Sequence, residues 1–431
     1  MKRVFSLALA ALLLAGCTAA PASDQSEVTS TSTTAETPVA DTTSDSGGKT
    51  LRPLYAGDEK QYYMYEIVSD ELIRYRVADL VNHETDVPCD VEGCTHDCES
   101  CPAVFRRGEC DLVFVLDDNT LVAFTNNGFP SEEDTQVVLL DRDCQNRRTV
   151  ANVENAAFVA LGGEAGGFPY TDGQYLYCFG YKNGFGEQSA LFRIDTANGE
   201  VTDLLENAPV QGLLLMGALD QYFVFFQSDV TYTDPVTDPT ATGTEVIATG
   251  TTTHWLFNPY TDEWKMFQTY SSDDGSLDRM YSIIIDGLYY QIDREVGSVS
   301  VVAPDTGEAK LITDQYPVDQ LQSHLIIQDK VQDWLLFYES PMVNLETGEI
   351  RQKPSLPENY WNGSSHQPNI YLNLGDTLLV DCRYEPYTRT TIGSDGTPYT
   401  VDTEHKYLGL ISAEDFLNGV PNYTEVGEYT T

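Results

Sequence analysis

The sequence predicts an all-β fold in which about seven similar sheets form a closed ring, the architecture of a β-propeller. Two observations predict it. A pattern of strand, glycine-containing bend, strand and tight turn recurs along most of the chain at intervals of roughly 40 to 60 residues. Glycine, tyrosine and threonine are abundant and long amphipathic helical patterns are few, which is typical of β-structure. Because one copy could not bury both of its faces alone, neighbouring copies must cover one another.

The clearest copy of the repeat runs from Asp172 to Val201. The segment from Tyr175 to Tyr181 is apolar or aromatic at odd and even positions, so we expect a strand covered on both faces. A glycine-rich bend then reverses the chain, and Leu191 to Asp195 is the next predicted strand. Residues 196–200, Thr-Ala-Asn-Gly-Glu, supply a turn in which asparagine and glycine can adopt positive φ.

Six further segments repeat this pattern in altered form. They are 61–77, 111–124 with 137–147, 220–227 with 254–267, 286–312, 334–349, and 375–381 with 406–411. The predicted fold class is therefore a propeller of seven blades, each with four antiparallel strands. Residues 412–419 combine an N-cap serine, an acidic first turn and a final glycine, which predicts a short helix. We expect this helix at the seam between the first and last blades.

The first 16 residues predict a signal peptide. Two basic residues at positions 2 and 3 precede an apolar run, 4–14, that is too short to cross a membrane as a helix. The sequence Leu-Ala-Gly-Cys that ends at Cys17 resembles the lipobox of bacterial lipoproteins. This resemblance implies that Cys17 is acylated and becomes the first residue after cleavage. It also implies a protein anchored to the cell membrane on the extracytoplasmic face.

Residues 17–50 predict an unstructured linker. They are mainly serine, threonine, alanine and acidic residues, and such a segment cannot offset the entropy lost on ordering. A tether of this length would hold the folded part at about 30 Å from its anchor. Residues 51–431 then form the propeller, which we treat as one domain because a closed ring is a single cooperative unit.

The charge balance of the chain is strongly acidic. It has 24 lysines plus arginines against 67 aspartates plus glutamates, a formal net charge of −43. Such a surface is soluble and repels phosphate groups, so nucleic acid is excluded as a partner. The same repulsion disfavours direct adsorption to anionic lipids, and the predicted membrane contact is the lipid on Cys17.

The densest group of metal-ligating residue types lies in the loop after the first repeat. Its members, with two cysteines of the second repeat, are Cys89, Cys94, His96, Cys98, Cys101, Cys110 and Cys144. Thiolates and an imidazole at these spacings can enclose a tetrahedral zinc ion, with Cys89, Cys94, His96 and either Cys101 or Cys98 as ligands. Outside the cytoplasm the six cysteines can equally pair as three disulfides, and reduced thiols are a third alternative. A closed four-ligand site has no open position for water, so no catalytic residue is predicted here.

The pattern C-x4-C-T-H-D-x3-C-P, which contains Cys89, Cys94, His96 and Cys101, resembles the cysteine motif of uncharacterised propeller-like lipoproteins from Gram-positive anaerobes. The similarity covers the signal peptide, the linker and the propeller, and the cysteine motif is its most specific part. Cys98 is an addition to that pattern. The resemblance implies the architecture and implies no activity, because the family has none established.

The remaining cysteines and histidines predict no site. A disulfide requires Cα atoms within about 7 Å, and the two cysteines in strand-like segments of the third and seventh repeats belong to blades that are not neighbours. We expect them to be buried, unpaired thiols that pack as small apolar residues. The single histidines are predicted to be surface or packing residues. The residues concerned are Cys178, Cys382, His83, His254, His324 and His405.

One loop is a candidate for ligand binding. It contains Tyr360, Trp361, Asn362 and His366. Flat aromatic faces beside hydrogen-bonding groups suit sugars or peptides. The alternative is that these aromatic side chains fill gaps between blades.

Three classes of function fit these predictions. The leading one is a non-catalytic surface lipoprotein whose propeller binds a protein, glycan or small ligand outside the cell. The second is a propeller enzyme of glycosidase or lyase type, acting on envelope or environmental glycans with paired carboxylates at the central channel. The strand-end carboxylates Asp195, Asp293 and Asp381 are instead explained as turn formers. The third is a redox- or metal-responsive structural subunit of a membrane assembly, with a structural zinc as the one cofactor considered.

Overall fold

The computed structural model describes residues 49–429 apart from 70, 108, 126–133, 159–167, 184–187, 233–247, 319–326, 338–340, 355–367 and 393–396. Within these residues the chain forms seven antiparallel sheets, which are the blades of a β-propeller. The predicted fold class and the predicted number of blades are confirmed. Helix is confined, in the described part, to α1 (Ser276–Arg279) and α2 (Ala413–Asn418).

The strands are numbered in chain order. Blade 1 contains β2 (Gln61–Ile67), β3 (Leu72–Asp79), β4 (Glu84–Asp86) and β5 (Val104–Arg106), and blade 2 contains β6 (Glu109–Val115), β7 (Thr120–Thr125), β8 (Thr135–Asp141) and β9 (Arg148–Val153). Blade 3 contains β1 (Arg52–Pro53), β10 (Ala156–Phe158), β11 (Tyr170–Thr171), β12 (Tyr175–Lys182), β13 (Gln188–Asp195) and β14 (Val201–Asp203). Blade 4 contains β15 (Leu214–Leu219), β16 (Tyr222–Tyr232), β17 (Ala248–Asn258) and β18 (Glu263–Ser271), and blade 5 contains β19 (Met280–Ile285), β20 (Leu288–Asp293), β21 (Ser298–Val302) and β22 (Ala309–Thr313). Blade 6 contains β23 (Ile327–Val331), β24 (Trp334–Phe337), β25 (Met342–Asn344) and β26 (Ile350–Arg351), and blade 7 contains β27 (Ile370–Asn373), β28 (Thr377–Ile392), β29 (Pro398–Ser412) and β30 (Thr424–Tyr429).

Within a blade, consecutive strands pair as neighbours, so the chain meanders from an innermost to an outermost strand. Blade 1 departs from this order because β4 and β5 pair with the same edge of β3. Blade 3 departs because β10 and β11 share one edge of β12, and β1 adds to β11.

The ring has two distinct sides. The turns that join first to second and third to fourth strands lie on one side, which we name the turn face; in blade 1 the residues just before β2 take the place of the first strand, so β2 counts as the second. Contacts between turns of adjacent blades mark it, such as Arg142 of blade 2 with Asp58 of blade 1 at 2.7 Å and Lys265 of blade 4 with the Asp305 carbonyl of blade 5 at 2.7 Å. The connections between second and third strands lie on the opposite side, which we name the hairpin face.

Blade 3 shows how the sequence sets the repeat. Residues in the middle of β12 are buried at every position, as the uninterrupted apolar run predicted. In the turn after β13, the Asp195 carboxylate accepts the Ala197 N–H at 2.8 Å. Gly199 adopts φ 78°, and a Cβ there would lie 2.1 Å from the Val150 carbonyl of blade 2. Only glycine fits this turn against its neighbour.

Seven apolar clusters, one at each junction between adjacent blades, hold the ring together. Successive residues of β12 alternate between two of them. Leu176 and Cys178 enter the cluster between blades 2 and 3, and Tyr177 and Phe179 enter the cluster between blades 3 and 4. The period of two in a strand therefore serves two neighbours at once.

The seam between blades 7 and 1 is closed by packing. No ladder joins the two blades in the described strands. Met64 of blade 1 instead packs with Leu408 and Val426 of blade 7. Gly427 of β30 approaches Thr85 of β4 so closely that a Cβ would lie 2.5 Å from its side chain.

Helix α2 is capped as predicted but lies at another junction. The Ser412 hydroxyl accepts the Asp415 N–H at 3.0 Å, and Gly419 ends the helix at φ 68°. The expected position at the seam between the first and last blades is wrong, because Phe416 and Leu417 pack into the cluster between blades 6 and 7. The apolar side chains of α2 all face blade 6, and this decides its place.

A segment that we name the N-terminal strap, residues 49–57, crosses several blades before the first repeat begins. Leu51 N–H bonds the Asp220 carbonyl of blade 4 at 2.8 Å, and Leu54 N–H bonds the Pro169 carbonyl of blade 3 at 2.8 Å. The bridge between Gly57 and Tyr62 then gives the strap the innermost position of blade 1. The predicted signal peptide 1–16, the predicted lipid site Cys17 and the predicted linker as far as residue 48 lie outside the described residues.

We predict that Leu54→Ala destabilises the ring by about 2–5 kcal/mol, the usual cost of a cavity at a buried leucine. Leu54 is 1 % exposed and belongs to the cluster between blades 2 and 3. The matched control is Leu311→Ala, since Leu311 is 55 % exposed and its truncation should change stability by at most about 0.5 kcal/mol. Urea denaturation measures both. Equal small effects would show that the strap is not part of the folded core.

We also predict a loss of stability in mild acid that depends on His254. Its imidazole is buried, Nδ1 lies 2.6 Å from the Tyr289 hydroxyl, and burial lowers its pKa to about 4. Unfolding therefore takes up a proton at pH values below the ordinary histidine pKa near 6.5. The contribution of the neutral His254 to the free energy of unfolding is complete above pH 6.5, and it decreases by about 3 kcal/mol as the pH falls to 4.

The difference in urea stability between pH 7 and pH 4.5 measures this contribution. It should shrink in His254→Gln, which keeps a polar side chain but has no proton to gain. An unchanged difference in the variant would contradict the assignment to His254.

Candidate metal centre

The predicted cysteine cluster lies inside the outermost strand of blade 1. Asp86 of β4 pairs with Val77 of β3, the chain then leaves the sheet as residues 87–103, and Val104 of β5 returns to pair with Arg74. We name residues 87–103 the cysteine loop. The sequence placed this loop after the first repeat, whereas the structure places it within that repeat, with both of its ends held by β3.

Four side chains of the cysteine loop converge. The ligand atoms of Cys89, Cys94, His96 and Cys101 all lie within 4.8 Å of one another. His96 Nδ1 is 3.4 Å from Cys101 Sγ. Zinc–sulfur and zinc–nitrogen bond lengths give a tetrahedral ligand–ligand edge of about 3.5–3.8 Å, so a contraction of about 1 Å would close the widest pairs on the ion. Three thiols and one imidazole are a donor set that zinc accepts, and these residues fit it.

The backbone of the cysteine loop brings these groups together through two left-handed residues. Gly93 has φ 75° and His96 has φ 56°. The Cys94 N–H bonds the Val91 carbonyl at 3.1 Å, and the Cys101 N–H bonds the Cys98 carbonyl at 2.9 Å. Two tight turns in succession thus direct the ligand side chains inward.

The thiols of Cys94 and Cys101 have different environments. The backbone N–H of His96 donates to Cys94 and lowers its pKa, which favours the thiolate that a metal requires. Burial raises the pKa of Cys101 to about 12, against the effect of the Ala103 N–H. Without a metal, a proton therefore occupies the buried thiol. A zinc ion bound here would displace that proton and supply the missing positive charge.

Two arginines flank the cluster, and the sequence analysis did not identify them. Arg74 of β3 donates from Nη1 to the His96 carbonyl at 3.0 Å, and its charge interacts favourably with the Cys101 thiolate. Arg147 donates from Nη2 to the Val104 carbonyl at 2.8 Å and covers the Phe105 ring. A site of three thiolates and one imidazole around Zn²⁺ carries a net charge near −1, and the Arg74 guanidinium, which also forms an ion pair with Glu66, would lie beside it.

The other predicted cysteines fall outside the group of four. Cys98 is exposed, with Sγ 3.1 Å from the Ser100 hydroxyl. Cys144 is buried in the same apolar cluster as Cys101, at the turn after β8 in blade 2. The Cys110 side chain lies outside the described part of the structure. Cys178 and Cys382 are buried thiols without a disulfide in the described chain, as expected.

The geometry of the cluster is compatible with a four-ligand metal site. The described cysteines of the loop, Cys89, Cys94, Cys98 and Cys101, are all free thiols. A disulfide would use two of the converging thiols and give no role to the His96 imidazole beside them. A four-ligand tetrahedral site uses all of the converging groups and leaves no position for a reacting water, so it would be structural.

The strand-end carboxylates are engaged in local bonds. Asp195 caps its turn, and Asp293 accepts the Glu295 N–H at 3.0 Å and a bidentate contact from Arg279. These two are confirmed as turn formers. Asp381 instead accepts from the Asn369 side chain at 2.8 Å.

Two other predicted sites cannot be placed. The candidate ligand loop with Tyr360, Trp361, Asn362 and His366 lies within 355–367, outside the described residues, as does Cys17. In the described chain, no helix has the length and apolar character needed to cross a membrane.

Comparison with known proteins assigns no family to this chain. No family model matches the sequence, and no curated protein matches it. The propeller domain of the trilobed protease from Pyrococcus furiosus is 10% identical over 89% of this chain and 99% of that chain, with a TM-score of 0.44. TolB from Acinetobacter baumannii is 9% identical over 82% and 77%, with a TM-score of 0.34. Oligogalacturonate lyase from Vibrio parahaemolyticus is 11% identical over 80% and 96%, with a TM-score of 0.36. Similarity at this level supports no statement about what this chain binds or catalyses.

We predict about one zinc ion per chain in protein produced with zinc in the medium, measured by elemental mass spectrometry. Cys94→Ala should lose the metal, because it removes one of four ligands. Cys98→Ala, two residues beyond His96 on the same loop, should keep it, because Cys98 is exposed and outside the ligand group. At a free zinc concentration of 100 times Kd, occupancy adds about 2.7 kcal/mol, so a chelator should lower Tm of the wild type by several degrees and leave Cys94→Ala unchanged.

Equal zinc contents in the two variants would contradict the ligand assignment. A reduced, metal-free cluster whose replacement has no effect on Tm would also remove the metal-responsive class of function.

Proposed function

We propose that this chain is a membrane-anchored extracytoplasmic lipoprotein whose propeller, stapled in blade 1 by a zinc ion, binds a protein, glycan or small ligand without catalysing a reaction. The observation that carries this proposal is the convergence of Cys89, Cys94, His96 and Cys101. These four residues are the most chemically distinctive group of the described chain, and as zinc ligands they would form a closed structural site with no open position for substrate or water.

The location of the cysteine loop explains what a staple would do. The loop interrupts the outermost strand of blade 1, so β4 and β5 are held to β3 by only three residue pairs each. β4 also meets blade 7 at the seam, where Thr85 lies against Gly427. Joining the loop through four ligands would keep both half-strands in register and so support the junction that closes the ring.

The glycosidase or lyase alternative would need a free pair of carboxylates at the channel. Asp329 on the innermost strand of blade 6 is the best candidate, because burial raises its pKa to about 6. Its carboxylate, however, accepts the Lys330 N–H at 2.6 Å. Its neighbour Asp286 is paired with the Lys330 ammonium at 3.1 Å. Because Asp286 is neutralised by the Lys330 ammonium, Asp329 lacks, among the described residues, a second free carboxylate beside it to act as base or nucleophile, and we therefore favour a binding role.

The lipid anchor is supported by the residues that precede the described chain. Leu-Ala-Gly-Cys behind a basic start and an apolar run resembles a lipobox, and Cys17 is the proposed acylation site. The net charge of −43 would keep the ring itself off anionic lipids. Attachment would then depend on the acyl chains, of which at least two are needed for a stable anchor.

We predict that Cys17→Ala moves the protein from the membrane fraction to the soluble fraction of a bacterial host and abolishes labelling by radioactive palmitate. The physical reason is that the substitution removes the thiol that carries the lipid. Cys98→Ala is the matched control and should behave as the wild type, because it also removes one thiol. Membrane attachment that survives in Cys17→Ala would refute the proposed anchor.

A further inference from the structure

The N-terminal strap is bound to the turn face of the ring. Lys49 Nζ lies 2.7 Å from Gln174 Oε1, in the turn between β11 and β12. Leu51 N–H bonds the Asp220 carbonyl, in the turn between β15 and β16. Arg52 Nη2 donates to the Leu116 carbonyl at 2.8 Å, where β6 ends. Three blades thus hold the strap at the same kind of turn.

The end of the strap also contacts the inner parts of blades 2 and 3. The Val115 N–H of blade 2 bonds the Tyr55 carbonyl at 2.8 Å, and the Tyr55 ring packs edge-on against Phe168 at 5.2 Å between centroids. Enclosure by the protein, with the negative charges of Asp286 and Asp329, raises the pKa of the Tyr55 phenol to about 12. The Tyr55 side chain is still 42 % exposed. Its contacts with Val115 and Phe168 therefore fix the strap to blades 2 and 3.

The hairpin face is the opposite side of the ring and carries the longest projections of the described strands. The ladder of β28 and β29 runs from the Thr377–Ser412 pair to the Ile392–Pro398 pair, with one β-bulge between Asp381 and Arg383. At about 3.3 Å per residue, this ribbon spans roughly 50 Å from the turn face to its last described pair. The ribbon of β16 and β17 projects on the same side, with a ladder that reaches the Tyr232–Ala248 pair.

We propose that the strap makes the turn face the membrane-facing surface of the ring and directs the hairpin face away from the membrane. The proposal rests on the lipid anchor proposed for Cys17. The chain from Cys17 to Lys49 has a composition that predicts a coil of about 30 Å, shorter than the ribbon of blade 7. A tether that leaves the ring at the turn face then keeps that face nearer to the bilayer on average.

Energy transfer to a membrane dye tests this orientation with the full-length, natively lipidated chain on phosphatidylcholine vesicles that contain a rhodamine-labelled lipid. A donor dye is attached through p-azidophenylalanine, either at Glu346 in the turn between β25 and β26 or at Thr400 on the outer part of β29. Both residues are exposed, and they lie on adjacent blades. We expect transfer at least two-fold greater from position 346 than from position 400. Equal transfer, or greater transfer from position 400, would overturn the proposal.

A second measurement distinguishes a failure of the lipid anchor from a failure of the proposed orientation. If the natively produced chain does not sediment with vesicles, the lipid anchor is refuted. A chain with hexahistidine in place of residues 1–17, bound to nickel-chelating lipid, then repeats the two measurements. Greater transfer from position 346 on these vesicles would still support orientation by the strap, and equal transfer would overturn it.

Discussion

The constraint on which the rest of this structure depends is that every blade has two apolar faces and must cover both. In β7, Leu121 and Ala123 enter the cluster between blades 1 and 2, and Val122 and Phe124 enter the cluster between blades 2 and 3. An isolated sheet with this alternation would expose both of its apolar faces to water. The cost disappears only when seven sheets close into a ring, so the fold is cooperative over the whole circle.

The same constraint explains where the chain varies. The central strands meet neighbours on both faces, and they keep an uninterrupted apolar pattern. The outer edge of a blade has no further strand to pair with, and blade 1 accepts the cysteine loop there, between Asp86 and Val104. At the hairpin face the strands can continue beyond the junctions, as β16, β17, β28 and β29 do. Departures from the repeat thus occur where packing between blades places the fewest constraints on the chain.

The sequence was sufficient for those parts of the molecule whose signals are local. The strand β12 is specified by its uninterrupted apolar run, and the turn after β13 is specified by Gly199, which tolerates positive φ. The grouping of Cys89, Cys94, His96 and Cys101 was also predictable, since four ligands within a short loop can meet with little loop-closure cost.

Features set by non-local contacts were beyond the sequence. The return of β5 to Arg74, next to the site where β4 leaves, depends on the edge of a strand that precedes the loop. The position of the Arg74 charge beside the thiols follows from that same pairing. The junction at which helix α2 lies is determined by the packing of Phe416 and Leu417. The strap has linker-like neighbours in sequence, and only its contacts with Asp220 and other turn residues reveal that it is folded. Those contacts also determine how a pulling force would act on the molecule. Tension on the N-terminal end would be shared among blades 1 to 4 as shear along the strap. The seam between blades 7 and 1 has no strand pairing in the described ladders, and it would bear little of this force.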